Sequence, residues 1–265
     1  MMIFVTHVYW LLRRQWYLVN TRLAGMALNN IILWPLVYAS TTGYLMPNTF
    51  FPDNAVYKGT ELLVGIALLQ IFVGSFFMLV TLLNEREDSG VLHYHIMATS
   101  YRATFVSRMI FYALYIYAFA VPFLPMAKLL LGANLYTDQL HWGALCAVLC
   151  MVVVMVTSYV MCLFSLIKTM HDIEYLWSYG VEPLLWLSGF WAPVYAVANS
   201  GVPGLSWLTR INPFAYATDA LRQLFFHDAR FAPLSQCMAV MAIATLIFML
   251  LSYRLLQRRL GTVSE

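Results

Sequence analysis

Apolar stretches of 20 residues or more, separated by short polar clusters, set the rhythm of this chain. A helix needs about 20 residues to cross ~30 Å of hydrocarbon, so stretches of this length predict membrane spans. Six are expected, over residues 23–45, 62–83, 105–131, 142–167, 173–194 and 234–255. Residues 2–20 read differently. There Trp10, Trp16 and Tyr17 are interleaved with Arg13 and Arg14, the mixture that lies along a membrane interface. Pro35, Pro122, Pro125 and Pro183 fall inside expected spans, where they predict kinks.

Composition agrees: 62% of the 265 residues are hydrophobic and only 10% charged, which excludes an ordinary soluble domain with about 25% charged residues. A net charge of +3 on scattered residues gives no nucleic-acid surface. Cys146, Cys150, Cys162 and Cys237 sit in apolar stretches without a C-x-x-C pair, and His93 and His95 lack a third ligand, so no metal or redox centre is expected. The N-terminus lacks a signal peptide's apolar core and cleavage site, so the first span is expected to be retained. Placing the N-terminus inside puts ten of the 15 Lys and Arg on the cytoplasmic side. Lys58, Lys128, Arg210, Arg222 and Arg230 remain outside. That excess predicts both termini cytoplasmic in a multi-pass plasma-membrane protein, which would be an inner-membrane one if the cell is Gram-negative. The expected fold is an all-α integral membrane protein. Six transmembrane helices join an N-terminal interfacial helix (2–20), a cytoplasmic helix (85–100) and an outer re-entrant hairpin (195–230), in one domain over 1–265.

Two segments stand out. After the second span, Glu85, Arg86, Glu87, Asp88 and Gly90 break from apolar sequence, and an amphipathic run with Leu92, Tyr94, Ile96 and Met97 follows. Acids at a helix start complement its dipole, and the apolar residues offer anchors for a partner; a solvated loop is the plainer reading. The second segment holds Gly189 and Pro193, a Gly/Pro turn near 201–204, then Asn212, Pro213, Tyr216, Asp219 and Arg222. It is too apolar for a loop and too broken for a span, the mark of a re-entrant segment. Asn212 before Pro213 signals a helix start.

In order and spacing, Glu85-Arg86-Glu87 with Gly90, Ser188-Gly189 with Pro193, and Asn212-Pro213-Phe214 with Tyr216 and Arg222 resemble the permease subunits of the type-2 ATP-binding-cassette exporters. The resemblance implies a second permease copy, as a homodimer or a heterodimer, and two copies of an ATPase subunit. It makes Glu85, Arg86, Glu87, Gly90, Leu92 and Tyr94 parts of a coupling helix. Gly189, Pro193, Asn212, Pro213, Tyr216, Asp219 and Arg222 become parts of an outer gate. No G-x-x-x-x-G-K-[ST] phosphate loop occurs in the sequence. No catalytic residue or cofactor is therefore expected in this chain, with ATP and Mg held by the ATPase and membrane lipids around the spans.

The substrate class rests on less. Aromatic residues, 16% of the chain, suit a path for a glycan, glycolipid or other amphiphile, and they also serve interfacial belts. Hydrophobic small molecules or drugs are the alternative cargo. Glu182, ahead of Pro183 within the fifth expected span, either faces a hydrated path or secures the kink by a hydrogen bond. Asp219 and Arg222, three apart on one helix face, are placed to pair. A lipid-modifying transferase needs a polar catalytic cluster beyond Glu85 to Ser89, and a channel or ion-coupled carrier needs more ionisable groups within its spans than Glu182.

Overall fold

The computed structural model describes residues 2–20, 28–87, 96, 98–167, 169–202 and 204–261. Helices account for the regular structure of these residues, and no strand occurs among them. The helices are α1 (Met2–Asn20), α2 (residues 28–50), α3 (Ala55–Glu87), α4 (Tyr101–Ala120), α5 (Phe123–Leu131), α6 (Trp142–Leu166), α7 (residues 173–186), α8 (Val194–Ala198), α9 (Leu205–Ile211), α10 (Pro213–Phe226) and α11 (Leu234–Gly261).

Four helical stretches among the described residues are long and apolar enough to cross a membrane: Pro52–Arg86, Tyr101–Asn134, Trp142–Leu166 and Leu234–Arg258. They match four of the six expected spans. Of the other two, the described part of the first, residues 28–45, is a run of π and α segments, and the fifth ends early. The helix α2 alternates π-helical turns (Leu28–Leu33, Ala39–Leu45) with α-helical ones that carry Pro35 and Pro47 at their starts. Proline removes an amide donor and crowds the preceding turn, and the wider π turns lie beside it. The helix α7 has the same device, a π segment Trp177–Val181 running into Glu182-Pro183.

The fifth expected span is corrected by the backbone. Helix α7 stops at Trp186, so its 14 residues rise about 21 Å, short of the ~30 Å hydrocarbon thickness. Ser188 donates to the Leu185 carbonyl at 2.6 Å, and Gly189 then adopts φ +79°, a conformation that turns the chain back and suits only glycine. A Cβ at Gly189 would also meet Val194 Cγ2 at 2.8 Å.

Helix α6 is the centre of the bundle, packed against α3, α4, α10 and α11. Its Val152, Val156, Met155, Val160 and Phe164 are buried, and Phe72 of α3 meets Phe214 of α10 edge to face at 4.8 Å. Apolar side chains of α2, α7 and α11, including Leu36, Val37, Tyr179, Ile247 and Leu250, remain exposed. In water such faces drive aggregation; in a bilayer they meet lipid or another helix.

Candidate functional site

Polar side chains gather at the two opposite ends of the bundle. At one end lie the start of α3, the α10–α11 connection and α8. Asn212 builds this end locally: its Oδ1 accepts from the Phe214 amide at 3.1 Å and caps α10, while its Nδ2 donates to the Leu184 carbonyl at 2.7 Å, fastening α10 to α7. Thr218 donates to the Ser188 carbonyl, tying α10 to the Gly189 turn. Pro193 is buried at the entry to α8.

Arg222 is 0% exposed in the middle of this packing. Its Nε donates to the backbone carbonyl of Glu61 at 3.1 Å, and neither Nη has a hydrogen-bond partner. The Glu61 side chain, 1% exposed, receives Lys58 Nζ at 2.7 Å and the Tyr195 hydroxyl at 3.2 Å. Burial raises the cost of each of these charges, and their proximity offsets part of it. The pairing expected between Asp219 and Arg222 is corrected: no hydrogen bond or ion pair joins them. Asp219 Oδ2 instead accepts from the Ala232 amide at 3.3 Å, because α10 turns that face towards the chain leading into α11. Tyr216 reaches back to the Arg210 carbonyl at 3.0 Å.

At the rim, Arg230 forks onto Asp228 Oδ2 at 2.7 and 2.5 Å and donates to the Tyr57 hydroxyl at 2.6 Å. The bonded guanidinium lowers the Asp228 carboxyl below its ordinary value, and the carboxylate raises Arg230 in turn. Glu182 lies exposed on α7, where Trp186 Nε1 donates to its Oε1 at 3.4 Å, a weak bond within one helix. Sequence reading missed Glu61, Lys58, Tyr195 and Arg230 as a cluster. A carboxylate at the mouth of a long apolar run was the available signal for Glu61.

The opposite end revises the coupling segment. Glu85 to Glu87 do not open a new helix but form the last turn of α3. Acids at a helix C-terminus oppose its dipole, and two arginines compensate. Glu85 is ion-paired with Arg108 of α4, which is 2% exposed, and Arg86 donates to the Ile167 carbonyl at 2.9 Å while lying over the Phe164 ring. Two residues of the expected coupling pattern therefore face into the bundle. Gly90, Leu92 and Tyr94 lie outside the described residues, and of Glu87 only the backbone is described. Tyr101 donates to the Tyr253 carbonyl at 2.7 Å, joining α4 to α11 at this same end.

Residues 6–226 match the family model for ABC-2 type transporters. The chain belongs to the ABC-2 type transporter family. No curated protein and no solved structure matches it. Membership makes the chain a transporter permease, not an enzyme, and a membrane protein, in keeping with its four apolar helices of spanning length. The matched region runs from α1 through α10, so it takes in Glu85 and Arg108 at one end and Glu61, Asn212 and Arg222 at the other.

Proposed function

We propose that this permease is the membrane-spanning subunit of an ATP-driven exporter, paired with a second permease copy and driven by a separate ATPase bound at the end where α3 and α4 meet. The family match carries the reading. The Glu85–Arg108 and Arg86–Ile167 contacts add a mechanical reason: they brace the end of α3 against α4 and α6, so a push on the segment after Glu87 is passed into three helices at once. Glu87, Gly90, Leu92 and Tyr94 are the residues proposed to touch the ATPase. At the far end, α8 to α10 form the outer gate, held to α3 through Arg222 and Glu61 and to α7 through Asn212. The cargo is a glycan, glycolipid or other amphiphile.

The test is co-purification of the tagged chain with the phosphate-loop ATPase encoded beside it, followed by ATP hydrolysis in nanodiscs. Association, and loss of coupling in Glu87→Ala with membrane insertion intact, are the expected results. Wild-type association and export in Glu87→Ala and in the Glu85, Glu87 double variant would remove this segment from the coupling role.

A further inference from the structure

Helix α1 turns a stripe of arginine and aromatic side chains outward. Trp10, Arg13, Arg14 and Tyr17 are spaced by three and four residues, so they share one helix face, and they line one shallow, open depression. Leu11 and Gln15, on another face, are buried, and α1 packs against α4. The Arg13 guanidinium lies 5.2 Å from the Trp10 ring centre and 5.7 Å from that of Tyr17. One ring comes from the turn before Arg13 and one from the turn after, so the cation is held between them. Helix α1 contains no Asp or Glu, and among the described residues no carboxylate pairs with Arg13. Val5, Tyr9 and Trp16 form the neighbouring row, and each is more than half exposed.

Charge and apolar surface together choose the occupant. A guanidinium stacked on rings keeps its N–H edge available, and that planar fork suits a phosphate. A neutral ligand, glycan or hydrocarbon, leaves the Arg13 charge unanswered. A small soluble anion answers it but leaves Val5, Tyr9 and Trp16 in water. A lipid layer answers both at once: its phosphates lie directly above its acyl chains, and Trp and Tyr rings favour that boundary. The headgroup is selected by charge as well. A choline head carries its own cation next to the phosphate and competes with Arg13, whereas a head with net negative charge does not.

We infer that the outward stripe of α1 binds the headgroup of an anionic phospholipid, with Arg13 on the phosphate and the rings of Trp10 and Tyr17 at the acyl boundary. The site goes beyond the exporter reading and does not rest on it. The experiment is native mass spectrometry of the full chain released from detergent micelles, titrated with dioleoyl phosphatidylglycerol or dioleoyl phosphatidylcholine. Phosphatidylglycerol is expected to bind at least about fivefold more tightly than phosphatidylcholine, and millimolar inorganic phosphate does not displace it. Arg13→Gln weakens phosphatidylglycerol binding about fivefold, the size expected for one arginine at an anionic surface. Trp10→Leu, which keeps an apolar side chain and removes the stacked ring, weakens it about threefold. Both positions are exposed, so folding is not at stake. Arg254→Gln removes one exposed charge from α11 and leaves the affinity within about twofold of wild type. Equal affinity for the two lipids overturns the inference, as does an equal loss in Arg254→Gln, which would mean diffuse attraction. Displacement by inorganic phosphate would mark a site for free anions and overturn it as well. Wild-type phosphatidylglycerol affinity in Arg13→Gln also overturns it; if that variant at the same time loses association with the ATPase or with a second copy of the chain, the stripe is a protein contact.

Discussion

Gly65 of α3 lies so close to Phe190 that a Cβ on it would stand 2.2 Å from the Phe190 carbonyl oxygen and 2.7 Å from Arg222 Nη2. The missing side chain lets the turn after α7 and the buried guanidinium of α10 meet on one face of α3. Gly65→Ala therefore strikes backbone, which cannot swing aside. It is expected to destabilise the fold by about 1–3 kcal/mol, the usual cost of overpacking. Gly74→Ala, with nothing within 4 Å of the new atom, is the matched control and gains up to about 1 kcal/mol from helix propensity. Thermal unfolding followed by size-exclusion fluorescence separates the two; equal melting points would mean that α3 and the turn are not packed this closely.

Breaking the Glu85–Arg108 pair takes the paired carboxylate away from a buried guanidinium. Glu85→Ala is expected to cost about 3–5 kcal/mol, whereas Glu85→Leu with Arg108→Met recovers most of it, since an apolar pair carries no desolvation penalty. A double-mutant cycle on thermal stability gives the coupling directly. Additive losses would show that the two side chains do not meet.

Asn212 performs two tasks, and substitutions separate them. Asn212→Asp keeps the oxygen that caps α10 and loses the bond to Leu184; Asn212→Ala loses both. The alanine variant should cost about 2 kcal/mol, and the aspartate variant at least as much, because it sets a second acceptor and a buried charge against the Leu184 carbonyl. Hydrogen exchange at the first turn of α10 is expected to rise in the alanine variant and stay slow in the aspartate one.

The Asp228–Arg230 clasp has a defined pH dependence. Arg230 holds the folded Asp228 carboxyl below its ordinary value of 3.8, so folding favours the ionised form. The stabilising contribution is complete above 3.8 and is lost as pH falls through the lower folded value. The difference in melting temperature between the wild type and Asp228→Asn should stay constant from pH 7 down to that ordinary value and shrink below it. A difference that shrinks already between pH 7 and 5 would contradict the pairing.

Local signals were legible in the sequence, and long-range ones were not. Asn212-Pro213 announces the start of α10, because a cap and a proline act on neighbouring amides whatever surrounds them. Apolar length announces α3, α4, α6 and α11. Apolar composition carries the fifth expected span through Ser188-Gly189, although one glycine in a left-handed turn ends the helix there. Arg108 falls at the edge of an expected span and Arg222 among the outer charges, and both are buried inside the bundle. Their partners lie 23 residues away, at Glu85, and 161 away, at Glu61, and no spacing rule spans such distances. Tyr195 reaches Glu61 across 134 residues for the same reason.

The unequal burial of two spanning helices bears on how this chain can drift over generations. Within the most apolar window of α6, 78% of residues are buried inside the permease, against 22% in α11. Along α6 nearly every position has a shape to match on all sides, so exchanges of even one methylene are felt and selection removes them. Along α11 most positions answer only to hydrophobicity, which Leu, Ile, Val, Phe and Met satisfy alike. Descendants of this sequence should accordingly diverge fastest on the outward face of the last helix, and the exceptions there, positions held to one residue, would map where another protein rather than lipid touches it.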